Sequence, residues 1–527
     1  MNILNRRGFL AHASKLGLAA AVSSLTDVPF FMKRAMAAEG LGLNGKKLLF
    51  IFLRGANDSL NSVIPIRDES YNLTNRPNIL IPQDPGTDYS IWRDCDFPVA
   101  PTPAAPTFGY GYGIRLGNAF AALHPSLKFL APLYNSGDLA LVHRVAYPKQ
   151  SRSHFDSQAY WETGNPNSTS KEGIFYRTIL ESGLANSAPL TGVSFQSSLP
   201  ISLRGSNAAM TNLSDPGRYN LFGIPNSSSG NAKADAAVRR ELGFPYPERF
   251  NRQLLSLQYQ NMMNTLEIFA SINFAESGNT YADSQPTDGD TAPYSLFPTS
   301  NAKNGGYALH GNDPAKYVVP TGSYSFFEKL KASAIVLNKT DATIAGTELD
   351  GFDTHSNQGG VTGTHANLNR TIAWAMYALK QYFTTYADKA TWQNTIVVTL
   401  SEFGRTSVQN SDAGTDHAEA GVMFLAGGAV TGRGKGNPYG VFGISPADTV
   451  AWRTGESGSM FAAKGRYLQR SYDFRSVLGR VIRNHLGATQ EQLNRIIPGY
   501  SVVGERLKDG GTSTIDGVRI NGEPPIA

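Results

Sequence analysis

The sequence predicts an α/β protein built on a mostly parallel open sheet, and three observations lead there. Residues 46–53, 139–145, 395–400 and 421–426 are apolar at nearly every position, as strands buried on both faces must be. Leu368, Ile372, Met376, Leu379 and Phe383 recur at helical spacing between two of these runs. Polar clusters fall directly after the runs or at helix starts, where open α/β sheets place their ligands.

Taken in order, residues 46–53 form a strand that ends in the tight turn Arg54-Gly55-Ala56-Asn57-Asp58. Residues 66–117 are dense in Pro, Gly, Asp and Tyr, carry Cys95, and read as a loop-rich insertion. His124-Pro125-Ser126-Leu127 opens a short helix, and 139–145 is a second strand. The span 165–350 breaks the alternation and reads as a helical and loop insertion. Within it lie an amphipathic helix over 250–272 and a polar, Gly- and Pro-rich loop over 276–323. The strands at 395–400 and 421–426 restore the rhythm, and helices over 474–486 and 490–497 close it. There is no internal repeat, no Walker A sequence and no Gly-x-Ser-x-Gly. The glycine runs at 109–113 and 432–436 read as loops.

Composition narrows the function classes. Of 527 residues 41% are hydrophobic and 17% charged, which excludes a wholly disordered chain. The net charge of +5 invites a nucleic-acid partner, but residues 1–37 hold Arg6, Arg7, Lys15, Lys33 and Arg34 against Asp27 alone, so the rest carries only +1. No nucleic acid is expected. Asn5-Arg6-Arg7-Gly8-Phe9-Leu10, a short apolar run and Ala35-Met36-Ala37 together resemble a twin-arginine export signal over 1–37, leaving a single domain over 38–527. That resemblance implies passage through the twin-arginine machinery and a periplasmic or secreted protein without an integral membrane anchor. Cys95, the sole cysteine, has no partner for an internal disulfide.

Four clusters carry the candidate chemistry. They are Asn57-Asp58-Ser59, Ser151-Arg152-Ser153-His154, Asp353-Thr354-His355 with the run from Ser401 through Glu402 to Arg405, and Asp416-His417. Carboxylates, imidazoles and a hydroxyl in this number suit metal-assisted hydrolysis with one or two divalent ions. Plainer roles compete: Asp58 or Ser153 as a helix or turn cap, and Glu402 as an ion-pair partner of Arg405. His124, His143, His310, His365 and His485 read as packing, turn or surface residues.

The chain resembles the exported bacterial family called domain of unknown function 1501. The resemblance rests on Leu53-Arg54-Gly55-Ala56-Asn57-Asp58, Ser153-His154-Phe155 with Trp161-Glu162-Thr163-Gly164, Phe352-Asp353-Thr354-His355, Ser401-Glu402-Phe403-Gly404-Arg405 and Gly414-Thr415-Asp416-His417. That family is in turn similar to the alkaline phosphatase and sulfatase superfamily. The resemblance implies a three-layer sandwich around the mostly parallel sheet, and an exported hydrolase of phosphate, sulfate or phosphonate esters. The substrate would be a small anionic ester or an envelope polymer.

By the same resemblance Asp58, Asp353, His355, Glu402, Asp416 and His417 are metal ligands, with Asn57 and His154 behind them. Ser153 is the nucleophile, and Arg152 and Arg405 bind the anion. The ion is zinc, manganese, magnesium or calcium. Phe403 departs from the pattern, standing where the superfamily has a metal-binding histidine; Asn57, His154 or Asp416 would have to replace it. No Cys-x-Pro-x-Arg sequence is present, which argues against a formylglycine sulfatase. The alternative reading is a non-catalytic relative that binds or assembles in the envelope.

Overall fold

The computed structural model describes residues 41–42, 44–66, 68, 70–83, 112–184, 190–206, 208, 210–214, 265, 268–269, 272–274, 282–283, 294–299, 319–444, 466–501 and 507–527. The export signal, Cys95, most of the expected 250–272 helix and most of the 276–323 loop lie outside them.

The first strand, β1 (Lys47–Leu53), is buried at all seven positions. Its side chains alternate between two cores: Leu49, Ile51 and Leu53 enter one, and Leu48, Phe50 and Phe52 the other. Each such side chain contributes about 1.5–3 kcal/mol by leaving water. This double burial is why the run is apolar throughout and not alternating.

Eight further strands join β1 in a mixed sheet. They are β2 (Leu139–Ala146), β3 (Gly192–Phe195), β4 (Thr211–Leu213), β5 (Ile344–Leu349), β6 (Thr395–Leu400), β7 (Gly421–Ala426), β8 (Val441–Phe442) and β9 (Tyr472–Asp473). The order is β8-β2-β7-β6-β1-β5-β3-β4, with β9 also pairing β2. All pairs are parallel except β6–β7 and β7–β2, so only β7 runs backwards.

Helices cover both faces. On one, α3 (Tyr324–Lys339), α4 (Thr364–Thr385) and the turn at Pro125–Leu130 close the first core. On the other, α2 (Ile174–Ser182), α5 (Phe474–Arg480) and α6 (Gln490–Ile496) close the second, where Phe175 stacks on Phe50 at 4.9 Å between ring centres. Helix α1 (His154–Thr163) follows β2, and its Trp161 stacks on Phe474. Among the described residues no helix is long and apolar enough to cross a membrane.

One expectation needs correcting. The span 165–350 is not an insertion beside the sheet, because it supplies β3, β4 and β5 together with α2 and α3. Its strands escape a search for apolar runs for physical reasons. Strands β3 and β4 are four and three residues long. In β5, Gly346 lies beneath the Phe50 ring, where a Cβ would overlap the aromatic carbons, and Thr347 spends its hydroxyl on the Phe195 carbonyl at 2.8 Å.

The sheet gathers the polar clusters at one edge. Leu53 is in register with Leu349, and Phe52 with Leu400, so the turns after β1, β5 and β6 emerge side by side. Because β7 is reversed and Gly421 pairs Val145, the segment before β7 reaches that same edge, as does the one after β2. One end of the sheet therefore receives five chain segments.

Candidate metal centre

The five segments fit together because key positions lack side chains. A Cβ on Gly55 would overlap the backbone of Asp353, and one on Gly414 would overlap that of His355. Ala56 holds a left-handed φ of 72°, a conformation that costs about 1–3 kcal/mol for a residue with a side chain. The carbonyl this presents accepts a hydrogen bond from Arg405 Nε at 3.0 Å.

At the edge, three potential ligand atoms converge, His154 Nε2, His417 Nε2 and Asp353 Oδ1, all within 4.8 Å of one another, and His355 Nε2 adjoins them. His417 Nε2 lies 3.0 Å from His154 Nε2, 2.9 Å from His355 Nε2 and 3.4 Å from Asp353 Oδ1. Asp353 Oδ1 is 3.1 Å from His355 Nε2 and 3.5 Å from His154 Nε2. Ligands on one ion at about 2.0–2.1 Å stand about 3.4 Å apart in a tetrahedral arrangement, so the spacings among His154, His417 and Asp353 fit a single cation, with His355 next to His417 and Asp353. The Asp353 side chain is 49% exposed and that of His355 44%, which leaves the group open to solvent.

The far side of each ring fixes its protons. His417 Nδ1 is 2.7 Å from the Arg152 carbonyl, which can only accept, so Nδ1 carries the hydrogen. His154 Nδ1 is 2.8 Å from Glu402 Oε1, and His355 Nδ1 is 3.4 Å from Asp416 Oδ1. With Nδ1 facing an acceptor in each case, a ring that is neutral donates outward and turns a bare Nε2 lone pair inward. The Phe403 ring packs against His154 and His417, at 4.8 and 4.7 Å between ring centres, and holds both imidazoles from behind.

Charges around the group are matched. The hydrogen bond that His154 donates to Glu402 raises the pKa of His154. Burial, followed by the Arg405 charge, lowers that of His417. Burial alone would raise the Asp353 pKa, but the Arg405 guanidinium holds it below the usual carboxylate range. Asp416 is held low by its hydrogen bond from Asn410, with His355 and Arg466 adding to it.

Of the expected ligands, Asp353, His355 and His417 meet in this group. Glu402 and His154 exchange the positions expected of them: His154 points its Nε2 inward while Glu402 stands behind it, accepting also from Gly55 N at 2.8 Å. Asp416 likewise stands behind His355 and pairs Arg466 at 2.8 Å. Asp58 is elsewhere. It caps the turn at Ser59–Ser62 and is fully buried against Arg76 at 2.7 Å. The Asn57 amide oxygen is taken by Ser62 and His365.

Asp58 nonetheless supports the site. It accepts from Gln358 Nε2 at 2.6 Å, and Gln358 Oε1 accepts from the hydroxyls of Thr354 and Thr415, at 3.0 and 2.7 Å. Thr354 lies between Asp353 and His355, and Thr415 immediately before Asp416 and His417. No sequence pattern announces this brace, because Gln358 and Arg76 sit in irregular segments.

The expected catalytic trio is also placed differently. Ser153 caps α1, its Oγ accepting from Asp156 N at 3.4 Å. Arg405 is buried and spends its guanidinium on the Gly55, Ala56 and Thr415 carbonyls and on Asp353, so it cannot reach out to an anion. Arg152 pairs Glu419 at 2.8 Å and lies over the Tyr467 ring at the rim.

Residues 296–442 match the family model described as a protein of unknown function, DUF1501. The DUF1501 match spans Asp353, His355, Glu402, Arg405, Asp416 and His417, while His154 lies outside it. No curated protein and no solved structure matches the chain.

Proposed function

We propose that the chain is an exported, metal-dependent hydrolase of phosphate or related esters, with an alkaline-phosphatase-like fold and one divalent ion held by His154, His355, His417 and Asp353. One observation carries the reading: His154 Nε2, His417 Nε2 and Asp353 Oδ1 lie close enough together for one ion, with His355 Nε2 beside them, and the cluster is open to solvent. When bound, a divalent ion supplies Lewis acidity to an ester oxygen and activates water near neutral pH.

The chain's own groups then divide the work. The Nε2 atoms of His154, His355 and His417 and Asp353 Oδ1 would hold the ion, and Glu402, Asp416 and the Arg152 carbonyl would keep the proton of each ring on Nδ1. Arg405 balances the Asp353 charge. Arg152, 40% exposed at the rim and spending one donor on Glu419, is the group suited to an anionic substrate. Water and not Ser153 serves as nucleophile, since the serine oxygen is engaged in capping α1. Water adds to phosphorus, the ester bond breaks, and the alcohol leaves with a proton.

Ser153→Ala separates these roles. Loss of the cap should lower stability by about 1 kcal/mol while turnover stays within a few-fold of the parent. A covalent serine mechanism would instead lose turnover by orders of magnitude. The wider reading is tested with a panel of phosphate monoesters, diesters, sulfate esters and phosphonates. Hydrolysis should disappear with chelator and return with added ion, and an ion-loaded protein inert on the whole panel would refute it.

A further inference from the structure

We infer that this centre is built for one first-row transition ion of the zinc class, in preference to magnesium or calcium, and that Glu402 is the positioning residue that tightens its grip through His154. The inference rests on the metal-centre reading above and names the kind of ion and the group that tunes it.

Donor chemistry comes first. Magnesium and calcium are held by oxygen sets, whereas imidazole nitrogen suits zinc, iron, nickel and copper. Two of the three converging atoms are imidazole nitrogens, and the His355 nitrogen adjoins them at 2.9 Å from His417 Nε2. The neighbouring carboxylates cannot supply an oxygen-rich alternative, because each is engaged. Asp58 is bound by Arg76 and Gln358, Asp416 by Arg466 and Asn410, and Glu402 by His154 and Gly55 N. The same engagement leaves no set for a second ion among the described residues.

Glu402 differs from Asp416 in a way that predicts unequal effects. It is 2% exposed, and its Oε2 has no hydrogen-bond partner among the described residues. Among the described residues no Lys or Arg pairs with it, so its negative charge acts on the centre through the 2.8 Å hydrogen bond it accepts from His154. A carboxylate behind a ligating histidine raises the basicity of the inward nitrogen, and losing it typically costs 10–100-fold in metal affinity. Asp416 is half-shielded by Arg466 and lies 3.4 Å from His355, so its lever is weaker.

The experiment is a competition titration of chelator-treated full-length protein with zinc, cobalt, manganese, magnesium and calcium, followed by a chromophoric chelator and by the visible bands of cobalt. Zinc and cobalt should bind one per chain, with millimolar magnesium or calcium failing to displace them. Glu402→Gln should weaken zinc about 10–100-fold at unchanged stoichiometry, and Asp416→Asn less than Glu402→Gln. Preference for magnesium or calcium, or two ions per chain, would overturn the inference. So would a folded Glu402→Gln protein with parental affinity. The parent titration needs no variant, so a Glu402→Gln protein that fails to fold leaves the ion preference testable, and Glu402→Asp then probes the same lever by lengthening its bond to His154. One zinc bound without any ester hydrolysis would refute the hydrolase reading alone. Hydrolysis supported best by magnesium or calcium would refute this inference alone.

Discussion

Replacing His417 by alanine should lower the affinity for a divalent ion by more than about 100-fold and remove ion-dependent hydrolysis, while leaving the fold intact. His417 has the largest expected effect because its Nε2 is the hub of the group, within 3.0 Å of the other two imidazole nitrogens and 3.4 Å of Asp353 Oδ1. Removing it deletes a ligand and also the contact that spaces the remaining three. The structural cost is modest, since the side chain is 24% exposed and its one backbone partner is the Arg152 carbonyl, which water reaches once the ring is gone. Competition titration beside a thermal melt checks this. Affinity within a few-fold of the parent, in a protein that melts normally, would contradict the donor set.

The second large effect is on stability in acid. His124, His143, His365 and His485 are buried, and burial lowers their pKa values to about 3, 3, 4 and 4. In the unfolded chain each titrates near 6.5. Between those values the unfolded state binds more protons than the folded one, so stability is whole above about pH 6.5 and falls as pH drops through the folded values. At about 1.4 kcal/mol per unit and per group, the four together remove on the order of 5 kcal/mol or more between pH 7 and pH 5. That is comparable with the entire stability of many domains.

Asp58 adds a later loss. Burial would raise its pKa, but Arg76 holds it at about 2, so its contribution persists until pH falls below about 3.8. Urea melts of chelator-treated protein at pH 7, 6 and 5 test the histidine effect without interference from ion release. A stability at pH 5 within about 1 kcal/mol of that at pH 7 would contradict it.

How far the molecule was legible in its sequence follows from what each segment has to do. Strands β1, β2, β6 and β7 are buried on both faces, so their sequences had no freedom to hide. Helix α4 declares itself through Ile372, Met376, Leu379 and Phe383, all buried. Strand β5 concealed itself with Gly346 and Thr347, residues chosen by the Phe50 ring and the Phe195 carbonyl and not by strand propensity.

The centre was legible in part for a related reason. Asp353, His355 and His417 follow from the rule that ligands gather beyond strand ends. Linear order, however, cannot say which of two groups meeting in space faces inward; here His154 turns its Nε2 toward His417 and Glu402 stands behind it. The available signal was Phe403: an aromatic ring in a place where a ligand was expected requires another imidazole to fill the gap, and His154 at the start of α1 fills it. Asp58 could be placed only by knowing that Arg76, from a loop without pattern, reaches it.

Anomalous diffraction at the zinc edge, from crystals grown with zinc, tests the central claim most directly. The account predicts one strong peak within bonding distance, about 2.0–2.1 Å, of the Nε2 atoms of His154, His355 and His417 and of Asp353 Oδ1. A peak seated at Asp58 or on the surface, or none at saturating zinc, would contradict it.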